Sequence, residues 1–108
     1  MNGKRKGNQA ERELLSLLQA SGCAAHRNDQ RCLFGGLERP DISLPGIHIE
    51  VKRTERLRIH EAMKQAEQDA NGKAQPAVMH RRNRTGWLVT MRLEDWIQLY
   101  RAWEAGGL

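Results

Sequence analysis

The sequence predicts an α/β fold: one mixed β-sheet flanked by helices, in a single domain over residues 1–108. Three observations lead there. Three stretches carry apolar residues at helical spacing, over residues 9–21, 59–71 and 93–105. Between them lie short runs of Ile, Val, Leu and Met with the period of a strand. Finally, two such runs meet at Pro45-Gly46, a strong turn signal.

The elements follow in order. Met1 to Gly7 is rich in Gly, Lys and Arg and reads as a flexible basic arm, in which Lys4, Arg5 and Lys6 would neutralise phosphates. The first helix runs from Gln9 to about Ser21, with Ala10, Leu14, Leu17, Leu18 and Ser21 on one stripe and Gly22 as its stop. Asn8 followed three residues later by Glu11 has the form of a capping box. Glu11 also lies on the flank of the apolar stripe, from where a carboxylate reaches towards the sheet. Cys23 to Arg27 is a short strand. Asn28 to Arg39 is a long polar connection made basic by Arg27, Arg31 and Arg39, with Leu33 and Phe34 as apolar residues near its tip. A loop of that length in a small domain tends to be functional.

The hairpin Pro40–Lys52 is the centre of the chain. Ile47, Ile49 and Val51 point one way, and His48, Glu50 and Lys52 the other. If Pro45-Gly46 is a two-residue loop, Leu44 faces Ile47, Ile42 faces Ile49 and Asp41 faces Glu50. Like charges directly opposite each other destabilise a sheet, and a divalent cation on hard oxygen ligands is a common reason to keep them. A type II turn suits a tight hairpin less well than the primed types, and a slip of one residue would separate the two acids.

A second helix follows over about Ile59–Asn71, ended by Gly72. Its narrow stripe of Ile59, Ala62, Met63, Ala66 and Ala70 lets it lie close to a sheet, and Gln65 and Asp69 flank that stripe. Gln75–His80 is a strand, Arg81–Gly86 a basic turn, and Trp87–Met91 a short, buried-looking strand. In the last helix Leu93, Trp96, Ile97, Tyr100 and Trp103 share one face, which reads as core or dimer surface.

Composition narrows the function. The chain has 108 residues, net charge +5 and pI near 9.8, a balance that suits nucleic acid. No apolar run is long enough to span a membrane, and Cys23 and Cys32 make neither a zinc nor a disulfide pattern. His26, His48, His60 and His80 form no zinc-ligand spacing and read as solvated or packed. The expectation is a soluble, intracellular protein with reduced thiols.

Pro40-Asp41 followed by Glu50-Val51-Lys52 resembles the signature of the PD-(D/E)xK nuclease superfamily. The run Lys6-Gly7-Asn8-Gln9-Ala10-Glu11-Arg12-Glu13-Leu14-Leu15, then Gly22 and Arg27, resembles the start of archaeal-type Holliday-junction resolvases and of similar phage proteins. The resemblance covers about Lys6 to Met91. It implies a restriction-endonuclease-like fold and a Mg2+ ion, with Mn2+ as a substitute, held by Asp41, Glu50 and the Val51 carbonyl. It implies that Glu11 reaches the metal through water or a second metal, that Lys52 orients the attacking water, and that Gln65 supports the site. It places Arg12 and Arg27 on phosphates. Asn28 departs from the Ser common at that position in the archaeal enzymes. The expected activity is structure-selective endonucleolytic cleavage of DNA in recombination and repair, most specifically of a four-way junction. A two-fold homodimer would suit two symmetric cuts, with the last helix or the Phe34 loop as its interface. The alternatives are a nuclease of the same scaffold acting on flaps, nicks or linear DNA, and a nucleic-acid-binding module without catalysis.

Overall fold

The computed structural model describes residues 3–27 and 42–106. The element order is α1 (Gly3–Ala20), β1 (His26–Arg27), β2 (Ile42–Leu44), β3 (Ile47–Arg53), α2 (Ile59–Ala70), β4 (Gln75–Arg81), β5 (Leu88–Met91) and α3 (Leu93–Glu104). One five-stranded sheet has the order β1-β2-β3-β4-β5. All neighbours are antiparallel except β3 and β4, which are parallel and are joined through α2, as a parallel pair requires. The mixed sheet with flanking helices is the expected fold class. Asp41, Arg31, Arg39 and the Leu33–Phe34 loop tip lie outside the described residues.

The hairpin has the expected register. Ile42 pairs with Ile49, Ser43 with His48 and Leu44 with Ile47. Gly46 takes a φ of +81°, the left-handed value that the third position of a type II turn needs. A slip would carry Ile42 and Ile49, both fully buried, to the opposite face, and that cost holds the register in spite of the turn type.

The two faces of β3 meet different helices. Ile49 and Val51 join Ile42, Ala25 and the α1 residues Ala10 and Leu14 in one apolar cluster, with Leu15, Leu18, Leu44, Ile47 and Met79 packed around it. On the other side Val78 packs with Ala62, Met63 and Ala66 of α2. Small residues on α2 allow the close approach that buries His48 and Glu50 on that face of β3.

Four expectations need correction. First, α1 starts at Gly3, so the expected arm is helical over Gly3–Gly7. Lys and Arg are good helix formers, and a single Gly at position 7 costs only ~1 kcal/mol against Ala. Second, Asn8 is therefore no cap: it lies inside α1, and its Oδ1 accepts a hydrogen bond from Arg27 Nη2 at 3.0 Å. Third, Leu17 and Ser21 lie outside the buried stripe, because α1 turns its Ala10, Leu14, Leu15 and Leu18 side to the sheet. At its end the stop at Gly22 holds: Cys23 N donates to Leu18 O and Gly22 N to Gln19 O, both at 3.0 Å, with Gly22 at φ +89°.

The fourth correction concerns the C-terminal part. β5 is an edge strand, and Leu88 and Val89 are exposed rather than buried. No residue of α3 is buried, so its aromatic face is surface and not core. Trp96 and Tyr100 stack with ring centroids 5.3 Å apart, and Trp103 follows at 5.7 Å from Tyr100. Arg92, just before α3, donates to Glu67 of α2, and that hydrogen bond holds the Glu67 carboxyl below the usual carboxylate range.

Candidate functional site

The chemistry gathers between β3 and α2. Alternation along β3 puts His48, Glu50 and Lys52 on the face towards α2. Because α2 returns the chain to the start of β4, it runs against β3. Its beginning meets Lys52, and a cleft of about 280 Å³ there is lined by Lys52, Arg58, Glu61 and Gln65. Its end meets His48, and Asp69 lies with His48 and Glu50 in one group whose ligand atoms are within 4.8 Å of one another.

Glu50 is 93% buried at its side chain, and its two oxygens face different neighbours. Oε1 lies 3.8 Å from Lys52 Nζ, and Oε2 lies 3.8 Å from His48 Nε2. Both distances exceed a hydrogen bond. Among the described residues, Glu50 Oε2 and His48 Nε2 are buried without a hydrogen-bond partner. Gln65 Nε2 donates to both carboxylate oxygens of Asp69, at 3.1 and 3.0 Å. Gln65 is thus half-buried beside the Glu50 face rather than solvated.

Glu11 stands elsewhere. α1 covers the Ile49 and Val51 face, and Glu11 Oε2 accepts a hydrogen bond from Arg27 Nε at 2.8 Å. Among the described residues it is not one of the His48, Glu50 and Asp69 group. Arg27 is accordingly held by Asn8 and Glu11 together, while Arg12 is exposed. Lys4, Arg5 and Lys6 fall in the first turns of α1. Sequence reasoning did not single out His48 or Asp69. The signals were there: His48 precedes Glu50 by one strand period, and Asp69 follows Gln65 by one helical turn.

A second cleft, of about 460 Å³, opens at the C-terminal ends of β3 and β4, lined by Thr54, Glu55, His80, Arg81, Arg82, Trp87 and others. Glu13 ties this end to α1, accepting from Arg81 and, at 2.9 Å, from Trp87 Nε1. His80 pairs with Lys52 across the sheet and bonds Thr90 Oγ1 at 2.8 Å. Burial holds its imidazole below the ordinary value of 6.5. Folded chains therefore bind fewer protons there than unfolded ones just below pH 6.5, so the stabilising contribution is intact above that value and is lost as pH falls through the lowered one. Thermal melts from about pH 7 to about pH 5 are expected to lose less stability in His80→Gln than in the wild type. Parallel losses would show that His80 titrates alike in both states.

The fold has a solved counterpart. A structure of Archaeoglobus fulgidus Hjc, a Holliday junction resolvase from an archaeal hyperthermophile, matches with a TM-score of 0.60 and 28% identity, over 79% of this chain and 76% of that one. This is the restriction-endonuclease-like fold of the PD-(D/E)xK nucleases. No protein-family model matches the chain, and no curated protein matches it significantly. The likeness to Hjc supports a nuclease or resolvase, and the His48, Glu50 and Asp69 group could hold a divalent metal.

Proposed function

We propose that the chain is a Mg2+-dependent, structure-selective DNA endonuclease, most specifically a Holliday-junction resolvase. The observation that carries this is Glu50, buried, and Lys52, half-exposed, on one strand face with Oε1 and Nζ 3.8 Å apart, in a fold similar to Hjc. The Ile42–Ile49 register supports the expectation that Asp41 stands across from Glu50. The Glu50 carboxyl is 93% buried with Oε1 3.8 Å from Lys52 Nζ, beyond a hydrogen bond, and a cation on that side would offset the cost of burying it.

In this reading Asp41, Glu50 and the Val51 carbonyl hold Mg2+, and Mn2+ substitutes for it. Bound there, the ion would supply a Lewis acid for the phosphoryl oxygen and lower the pKa of its water. Lys52 orients the attacking water and offsets charge at the scissile phosphate. Gln65 braces the α2 side of the site. Glu11 is the further acid, with Arg27 as its partner until a phosphate draws the guanidinium away. Arg12 and Arg27, with Lys4, Arg5, Lys6, Arg31 and Arg39, supply salt-dependent affinity for the DNA backbone. Recombination and repair in the cytoplasm of a bacterial or archaeal cell, or of a phage-infected one, is the setting that suits such an activity. Among the described residues no helix is long and apolar enough to cross a membrane.

The deciding measurement is a panel of initial rates with Mg2+ on a four-way junction, a flap, a nicked duplex and a linear duplex. Paired symmetric nicks in the junction at the highest rate are expected. Higher rates on flaps or linear DNA would move the reading to another nuclease of this scaffold. Tight binding with no cleavage in Mg2+ or Mn2+ would leave a binding module.

A homodimer belongs to the same proposal. Leu93, Trp96, Ile97, Leu99, Tyr100 and Trp103 of α3 are all more than 40% exposed. An exposed helix face carrying the Trp96, Tyr100 and Trp103 ring cluster suits an interface. Light scattering after size exclusion is expected to show a dimer for the wild type and a monomer for Trp96→Glu/Trp103→Glu. A monomeric wild type would remove the α3 interface.

A further inference from the structure

We propose that His48, Glu50 and Asp69 form a second divalent-cation site between β3 and α2, bridged to the nuclease centre through Glu50 and selective for Mn2+, Co2+ or Zn2+ over Mg2+. The inference deepens the nuclease reading, and rests on it only for the role of Glu50 at the first metal.

Three observations carry it. The ligand atoms converge, all within 4.8 Å of one another. Two donors on opposite sides of an ion at ~2.1 Å are ~4.2 Å apart, so side-chain adjustment of about half an ångström closes the set. Two of the donors are buried with nothing to bond. His48 Nε2 and Glu50 Oε2 belong to side chains 96% and 93% buried, and at 3.8 Å they are too far apart to satisfy each other. Leaving a buried polar atom unsatisfied costs about 1–3 kcal/mol, so one cation between the two would relieve both. The third donor is already oriented, because Gln65 Nε2 holds both oxygens of Asp69 from one turn away. A hydrogen bond of that kind fixes a ligating carboxylate.

The division of Glu50 separates the two subsites. Oε1 faces Lys52, on the side where the attacking water is proposed, and Oε2 faces His48. One carboxylate thereby serves two ions, as in two-metal hydrolytic centres. The donor set decides selectivity. An imidazole nitrogen with two carboxylates suits Mn2+, Co2+ and Zn2+, whereas Mg2+ prefers oxygen ligands and retains its waters. Topology makes the site possible: antiparallel passage of α2 over β3 brings the end of the helix to the start of the strand, uniting residues 48 and 69.

The test is Co2+ titration of the metal-free full-length chain without DNA, read by visible absorption of the bound ion, with the rise in Tm as a second readout. Wild type and Asp41→Asn are expected to bind Co2+ in the presence of excess Mg2+. His48→Gln and Asp69→Asn are expected to lose at least about tenfold in affinity. Asp69→Asn changes a half-buried side chain isosterically, so it keeps the test decisive if His48→Gln does not fold. Binding that depends on Asp41 but survives in both the His48 and Asp69 variants would overturn the proposal, as would absence of Co2+ binding in the wild type. Junction cleavage is scored separately: an intact Co2+ site without cleavage would sink the nuclease reading and leave the site standing.

Discussion

Glu50→Gln is expected to lower junction cleavage by at least ~10²-fold while leaving junction binding close to the wild type. The carboxylate is the one residue shared by every part of the site: 3.8 Å from Lys52 Nζ, 3.8 Å from His48 Nε2, and within the Asp69 group. In the proposed reading DNA affinity comes instead from arginines and lysines outside this cluster, which the substitution leaves in place. A second effect accompanies the first. In the metal-free chain Glu50 is a buried carboxyl with an orphaned oxygen, and an amide of the same shape is less costly to hold there. The variant is therefore expected to melt no lower than the metal-free wild type. Initial rates on a four-way junction, a gel-shift titration and a thermal melt check the three parts. Undiminished cleavage would place the hydrolytic centre elsewhere. A large fall in Tm without metal would mean that Glu50 is held by partners and is not poised for a cation.

Ile49→Ala is expected to cost about 2–5 kcal/mol, the range for emptying a fully buried branched side chain. Ile49 lies within β3 and has no exposed surface; with Ile42 and Val78 it is one of the largest fully enclosed side chains among the described residues. It pairs with Ile42, packs under Ala10 and Leu14 of α1, and lies beside Ala77 of β4. Since the opposite face of β3 is given to His48 and Glu50, little other apolar contact secures the strand. At ~4–8 °C per kcal/mol for a domain of about this size, Tm should fall by at least ~8 °C. Urea or thermal unfolding measures it. A loss below ~1 kcal/mol would show that the α1 side of the sheet is not the principal core.

Local chemistry made much of this legible. The hairpin register follows from alternation about a two-residue turn, because only one register buries both Ile42 and Ile49. The stripe of Ala62, Met63 and Ala66 announced a helix lying tight on a sheet, and α2 does so. Other features depended on distant partners. Asn8 and Glu11 satisfy a capping pattern as written, but Arg27 takes both side chains from nineteen and sixteen residues away. With that anchor the helix runs through Asn8 to Gly3. Helical spacing in α3 showed that Trp96, Tyr100 and Trp103 share a face; it carried no information on whether anything in the same chain covers that face, and nothing does among the described residues.

The sequence by itself therefore determined the fold class, the hairpin, the strand face shared by Glu50 and Lys52, and the basic character that suits DNA. These are consequences of periodicity, turn chemistry and composition, which are local. The tertiary structure decided which helix covers which face of β3. It set α2 over the polar face, bringing Gln65 and Asp69 to Glu50 and His48, and set α1 over the apolar face, where Glu11 meets Arg27. The reason is topological: a parallel β3–β4 pair needs a crossover helix, and the side of the sheet on which that helix lands is settled by packing between residues far apart in the chain.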